Sequence, residues 1–422
     1  MGAGGDGHIL YLAVHPVRLQ DSSSCPAEAG LLLACATTRP TPERTARARA
    51  CIARIRNWDS LIALALRHAV MPLLYRYLTA ECAAQLPAVA EAKLRFQFHL
   101  NVVTNRHLTN EVLRFMRAFE DAGVRALAFK GPLLAEIAYG DAGLRQFADI
   151  DFLVDAHSLT TVAEILTAAG YRSHLSRRDG LEGGYFQEFE ECFNGREGLG
   201  AVDVHWTMTP HAYPFAPSET AVRARAVNAT LRGESVPTLA PDDLFLYLCV
   251  HGAKHGWCQL GWICDIAQLL AVPGLIDVAM VLERAAPLGS RRMVLLAIYL
   301  AHASGGVVEA NLLAEARQSS AVVALGERAM RNLFTRLDGS LPLFDPWRVP
   351  VGAIEGAGSR ARYVVRRLMA PTMGDFEMIP LPAALFPLYW VIRPFRMAVQ
   401  YGPRLVRGAI GGAAAGSGNR SR

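Results

Sequence analysis

Three carboxylates stand in positions where an acid is costly. Asp149 and Asp151 alternate through DIDFLV, a stretch with strand periodicity, so both side chains leave on one face. Asp203 lies in AVDVHW, a second apolar strand pattern in which an unpaired carboxylate would be expensive to bury. Converging from neighbouring strands, the three would make a hard-oxygen site for Mg²⁺, which takes a few carboxylates together with substrate phosphates. Two such ions, about 3.5–4 Å apart, could activate an attacking hydroxyl and stabilise a leaving pyrophosphate. A DxD pair is common at strand ends; the third acid gives it meaning. His205 shares the face of Asp203. It could contact phosphate, orient a metal-bound carboxylate, or sit as a satisfied core histidine.

The basic groups around these acids are selective. Of 43 Lys and Arg residues only Lys93, Lys130 and Lys254 are lysine. In so Arg-dominated a chain, a retained lysine points to a place where a compact ammonium does what a guanidinium fork cannot. Lys93 reads as chance survival, whereas Lys130 and Lys254 fall in the two densest motif regions. Lys130-Gly131 follows an apolar strand pattern and precedes a helical one, the arrangement in which glycine lets backbone approach a ligand and a helix N-terminus offers N–H groups to phosphate. Arg145 could clamp phosphate or form a salt bridge to the same carboxylates. His251, Lys254 and His255 share a helix face by spacing and could hold β- and γ-phosphates. A zinc site is the competing reading of HxxxH, but Gly252 replaces the glutamate of that motif and no third ligand is evident. Asp265 could pair with a basic residue of this face, contact ribose, or cap a helix; Trp257 and Trp262 read as core.

These residues need a scaffold, and the hydrophobic period supplies one. From Arg47 to about Arg117 the pattern is helical, with apolar Trp58, Leu61, Ile62, Ala65, Leu66, Ala69 and Leu73 three and four apart. Pro72 is expected to kink or interrupt that helix, and a second helix runs over Lys93–Glu120. Val124–Phe129, Asp149–Val154, Tyr171–Leu175, Tyr185–Phe193 and Ala201–Trp206 read as strands, with helices over Leu133–Tyr139 and Ser158–Ala169. Pro241 opens a further helical region with Asp242 as its expected N-cap, a break near Gly256–Gly261, and helices to about residue 335. The expected fold class is α+β, a small mixed sheet flanked by helical regions. The expected divisions are 1–119, 120–240, 241–340, a Pro/Arg/aromatic segment 341–410 and a disordered tail 411–422.

Composition narrows the class. With 422 residues, 52% apolar and 19% charged, the chain can bury a sizeable core. No window reaches about 18 uninterrupted apolar residues, which argues against an integral membrane protein. The first residues lack a basic n-region, and Asp6 stands where a myristoylation motif wants Ser or Thr. Eight cysteines without a CxxC pair read as buried apolar residues in a reduced compartment, so the cytoplasm is the expected location. The net charge of +5 is uneven: residues 346–422 carry eleven Arg and three acids. Within that segment Leu385, Phe386, Leu388, Tyr389, Trp390 and Phe395, interleaved with Arg393 and Arg396, could lie weakly on an anionic membrane face or wrap the body as a proline-broken helix. The absence of a broad basic groove argues against long nucleic acid.

FKGPLLAEIAYGDAGLRQFADIDFLV followed by AVDVHW resembles the poorly characterised nucleotidyltransferase family of the polymerase β-like superfamily. HGAKHGWCQLGWICDIAQLL resembles that family's following helical motif, and WDSLIALALRHAVMPLLYRYL and PLYWVIRPFR extend the likeness over most of the chain. The resemblance implies that Asp149, Asp151 and Asp203 are catalytic and hold two Mg²⁺ ions. It implies that Lys130, Gly131, Arg145, His205, Lys254 and His255 bind the NTP, ATP foremost, and that AMP passes to a hydroxyl-bearing acceptor such as a sugar, small molecule, peptide or protein. Many superfamily members have Gly-Ser or Gly-Gly where this chain has Lys130-Gly131, which bears on the geometry of triphosphate binding. The alternatives are a non-catalytic nucleotide-binding scaffold and a small-molecule phosphotransferase, the latter disfavoured because no HxD…N loop is present.

Overall fold

Helices, then a sheet, then helices again follow from the change of period near Gly123. The structure is a computed structural model that describes residues 26–173, 189–195, 200–210, 213–334 and 345–399. The chain start, the ends of two expected strands beyond Ser173 and before Phe189, and the tail 411–422 lie outside the described residues.

Four helices come first: α1 (Pro26–Cys35), α2 (Pro42–Ile52), α3 (Trp58–Arg67) and α4 (Met71–Glu81). Thr41 caps α2 by accepting from Arg44 N, and Asn57 caps α3 by accepting from Ser60 N. The helical stretch is interrupted just before Pro72, as expected, and is not kinked at it. The chain turns at Ala69, whose φ is +54°, and Pro72 sits in the first turn of α4, where its missing N–H has no partner to lose. The long α5 (Ala88–Asp121) ends where Gly123 adopts a left-handed φ of +70°.

The sheet is assembled around α5. Strands β1 (Ala126–Phe129), β2 (Asp149–Val154), β3 (Arg172–Ser173), β4 (Glu190–Asn194) and β5 (Ala201–His205) run in the order β1-β2-β5-β4-β3. Only β2 and β5 are parallel, and their register sets Asp151 beside Asp203. Two helices, α6 (Gly131–Tyr139) and α7 (Leu159–Ala168), follow β1 and β2. Phe115 and Phe119 of α5 meet Phe152 edge-on beneath the sheet, in a core shared with Val202 and Val204. A short helix α8 (Glu219–Ala224) leads to a hairpin, β6 (Val227–Leu231) and β7 (Glu234–Thr238). The fold is α+β, as expected.

The remaining helices are α9 (Pro241–Lys254), α10 (Leu260–Ala271), α11 (Val278–Ala285), α12 (Arg291–Ala303), α13 (Ala310–Gln318), α14 (Ser320–Phe334), α15 (Asp345–Ala353), α16 (Ala357–Met369) and α17 (Met373–Met378), with residues 389–399 forming α18. The apolar faces of α9–α16 join α1–α4 in one second core, while Phe386 and Tyr389 pack with Phe376, Leu381 and Ile392 in a small cluster of their own. Asp242 is not the cap of α9: Ala240 holds that position, and Asp242 Oδ1 accepts from Asp277 N at 3.0 Å. The break between α9 and α10 falls where expected. Trp257, with φ +55°, folds back so tightly onto Gly252 that a Cβ there would come within 2.5 Å of the indole. Five of the seven described cysteines are buried; Cys258, in this turn, is exposed, against expectation. No helix among the described residues is long and apolar enough to cross a membrane.

Candidate active site

Lys130 is the hinge of the site. It follows β1 with φ +56° and ψ −144°, a region almost reserved for glycine and costing about 1–3 kcal/mol for any other residue. Gly131, at φ +39°, lets the turn approach β2: a Cβ there would meet Asp149 O at 3.4 Å. The strained turn delivers Lys130 Nζ to Asp151 Oδ1 at 2.6 Å, over the faces of Phe129 and Tyr247 at 5.4 and 5.2 Å.

The acids respond to one another. Burial would raise Asp151, but Lys130 and His205 outweigh it and hold its carboxyl below the usual value. Burial and the neighbouring Asp151 push Asp149 up, against Lys130 and Arg145. Asp203 is raised well above the ordinary carboxylate range by burial and by Asp149, Asp151 and Glu190. Burial alone would lower Lys130; Asp151, Tyr247 and Asp149 reverse the sign and keep it a cation. His205 Nε2 lies 3.1 Å from Asp151 Oδ1, and its Nδ1 is 3.2 Å from Glu190 Oε2, off the line of a good hydrogen bond.

The helical side faces this cluster. His251 and His255 stack at 4.7 Å between ring centroids, both against Trp262, and Lys254 Nζ stands 4.7 Å over the Phe189 ring. Burial, opposed by Glu190 and reinforced by Lys130 and Arg367, lowers Lys254 to about 8. His255 is lowered to about 3 by burial, Lys254, Lys130 and Arg367. His255 is solvent-exposed and Lys254 half-buried although protein surrounds both, as for groups lining a cleft. Burial, His255 and Lys130 keep His251 neutral. Among the described residues no third metal ligand joins the two histidines.

Arg145 is placed differently from the expectation that it reaches for phosphate. Its Nε and Nη2 bind Asp265 Oδ1 and Oδ2 at 2.9 and 3.0 Å, and Tyr139 donates to the same carboxylate at 2.8 Å. Asn101 and Asn105 of α5 donate to backbone carbonyls of the Ala142–Arg145 turn and fix its course. Asp265 therefore ties α10 to the turn before β2, rather than pairing with the histidine–lysine face. The charge of Arg145 still lowers Asp149. Lys130, Gly131, Asp149, Asp151, Asp203 and His205 do come together, with Lys254 and His255 opposite.

Sequence reasoning missed four participants. Glu190 is paired in register with His205 and adds a fourth acid, but a lone Glu at the end of a strand carries no motif. Cys192 is cross-strand from Asp203 and shares a hydrogen bond with it; burial and that carboxylate push its thiol up. Tyr247 was legible only as an apolar position of α9. Arg367 comes from α16, and no local pattern relates it to Lys254.

A divalent cation suits this donor set. Asp151 Oδ2 is buried with no hydrogen-bond partner, and Asp149 and Asp203 are raised by like charge, so the acid face lacks positive charge on that side. Among the described residues no three His, Cys, Asp or Glu side chains close into a ligand cage by themselves. Mg²⁺ does not require one, since water and substrate phosphates complete its shell.

Three acids beside a half-buried lysine on a mixed sheet suit chemistry at a phosphoryl group. A family described as uncharacterised nucleotidyltransferases matches residues 55–306, and the chain belongs to it. The lincosamide antibiotic adenylyltransferase LnuA, in its lincomycin-bound crystal structure, aligns with 38% of this chain and 94% of its own at 16% identity and a TM-score of 0.28, too low to support any inference. No curated protein matches.

Proposed function

We propose that the protein transfers AMP from ATP to a hydroxyl-bearing acceptor, with release of pyrophosphate and dependence on Mg²⁺. The observation that carries this is the shared face of Asp149, Asp151 and Asp203, half-buried around a fully buried Asp151 already engaged by Lys130. Asp149, Asp151 and Asp203 would hold the metal, which when bound neutralises triphosphate charge and polarises the reacting phosphoryl group. Lys130 places a fixed ammonium beside the acids, and the N-terminus of α6 offers free N–H groups to phosphate. Lys254 and Arg367 add positive charge from the opposite wall. His205, held between Asp151 and Glu190, fixes the orientation of the Asp151 carboxylate. The half-buried cleft limits water. Catalysis then consists of positioning and charge neutralisation, without a covalent intermediate.

The test is thermal shift and pyrophosphate release with Mg²⁺ and each of the four NTPs. Stabilisation by ATP alone, dependent on Mg²⁺, supports the reading. ADP rather than pyrophosphate as product would make the protein a phosphotransferase, and no response to any NTP would make it a scaffold.

Two further results are expected at the cleft wall. The folded pKa of Lys254, about 8, lies below the ordinary lysine value of 10.5, so the unfolded chain binds the extra proton between those values. Ligand-free stability contributed by this group therefore rises with pH across that window. Nucleotide affinity runs the opposite way, because the triphosphate needs the ammonium. From pH 7 to 9 titration calorimetry should show binding about tenfold weaker, the loss expected from deprotonating one group of pKa 8. Lys254→Arg, charged throughout, should abolish this slope. Arg367→Gln should raise the KM for the nucleotide about tenfold, the size of one charge-assisted contact, with kcat little changed and Arg367→Lys intermediate. An unchanged KM would remove Arg367 from the site.

A further inference from the structure

Eleven of the eighteen large apolar side chains exposed among the described residues fall between Val365 and Val399. Exposed apolar residues scattered singly need no explanation, but a concentration of this kind marks an interaction surface.

Its centre is α18, which is built inside out. Arg393 is buried and binds Asp375 Oδ2 at 3.2 Å, Thr372 Oγ1 at 2.9 Å and Arg367 O at 3.1 Å. Arg396 meets Asp375 Oδ1 at 2.6 Å, and Tyr389 donates to Ile379 O at 2.6 Å. The polar groups thus tie the helix to α16 and α17. The outer face, by contrast, presents Val391, Phe395 and Val399, 70%, 72% and 61% exposed and spaced four apart, with Leu388 and Trp390 beside them. A helix facing water shows the reverse partition. Of the residues that the sequence offers either to a membrane face or to a helix wrapping the body, Arg393, Phe386 and Tyr389 are turned inward.

The neighbouring α16 adds cations to the apolar face. On α16, Arg362 lies four residues before Arg366 and Val365 four before Met369, and all four are exposed. Arg393 and Arg396 turn in to Asp375, so the exposed cations here are Arg362 and Arg366. A second copy of this chain would set one basic segment against another, whereas an anionic lipid surface complements it. Arginine stems can lie along the acyl boundary while their heads stay among phosphates.

We propose that α16 and α18 form a peripheral docking surface for an anionic lipid bilayer, with Val391, Phe395 and Val399 entering the headgroup boundary. The anchor is reversible, since one amphipathic face of this size binds weakly and depends on charge.

Flotation of the full-length protein with vesicles of phosphatidylcholine and phosphatidylglycerol at 7:3 tests it. The expected result is binding at 0.1 M salt that falls at least tenfold on pure phosphatidylcholine and at least tenfold at 0.5 M salt. Val391→Ser/Phe395→Ser/Val399→Ser changes only outward side chains, so its melting temperature should stay within two degrees of the parent while vesicle binding falls at least tenfold. Arg362→Gln/Arg366→Gln should weaken binding to the anionic vesicles without affecting solubility. Absence of binding to anionic vesicles, or equal binding by the triple variant, overturns the proposal. So does a dimer in size-exclusion chromatography that the triple variant converts to monomer while vesicles bind neither, which would assign the face to a second copy.

Discussion

Asp151→Asn should lower pyrophosphate release by about 10²–10³-fold, the cost of removing one element of electrostatic transition-state stabilisation, while leaving the folded protein nearly intact. The reasoning lies in two opposed charges. Asp151 is the carboxylate that Lys130 and His205 keep ionised, so its charge is available to a cation at neutral pH. Asparagine keeps the shape and an acceptor for Lys130 but removes that charge. Lys130 loses its main partner, which destabilises, and Asp149 and Asp203 lose a like-charged neighbour, which stabilises. The two effects oppose each other, and stability should move by less than about 1 kcal/mol, within the range of ordinary substitutions. Lys130→Met is the contrasting variant. The repulsion it relieves, with Lys254, is the lesser effect, and it strands a buried carboxylate, so it should cost about 3 kcal/mol in denaturant unfolding as well as activity. If Asp151→Asn retained turnover, the acid face would not be the reaction centre.

Asp265→Ala should be the most damaging single change outside the acid cluster. It leaves the Arg145 guanidinium and the Tyr139 hydroxyl buried without the carboxylate that both contact. Removing one partner of a buried pair costs about 3–5 kcal/mol, because the other charge remains uncompensated. Replacing both partners by apolar residues avoids that penalty. Arg145→Met/Asp265→Leu should therefore recover most of the lost stability in urea unfolding, and the two single variants should show strong non-additivity. The double variant should still bind nucleotide poorly, since Arg145 helps hold Asp149 ionised and Asp265 fixes the turn before β2. Additive losses would show that the pair is not a structural unit.

The strands of the five-stranded sheet, the long helix and the DxD face were legible in the sequence because period and turn glycines act over a few residues; the hairpin β6–β7 was not read. Asp149–Val154 and Ala201–His205 follow from alternation alone, and the lysine census singled out Lys130 and Lys254. Asp242 was misplaced, for a local reason: an aspartate near a helix start suits several positions of the first turn. Other features came only with tertiary structure. Arg145 meets Asp265 across 120 residues, and the carboxylate that claims a guanidinium depends on which helix packs against that turn. Glu190 gains its role from cross-strand register with His205, and Arg367 from α16, carried by α15, which packs against α9. Even the outward face of α18 was decided by Asp375, which draws Arg393 and Arg396 inward and leaves Val391, Phe395 and Val399 outside. The sequence by itself determined which elements form and which acids share a face, since both depend on local periodicity. Which charges pair was decided by the packing of distant elements, because burial makes an unpaired charge too costly to leave and only the assembled core settles which partner is near.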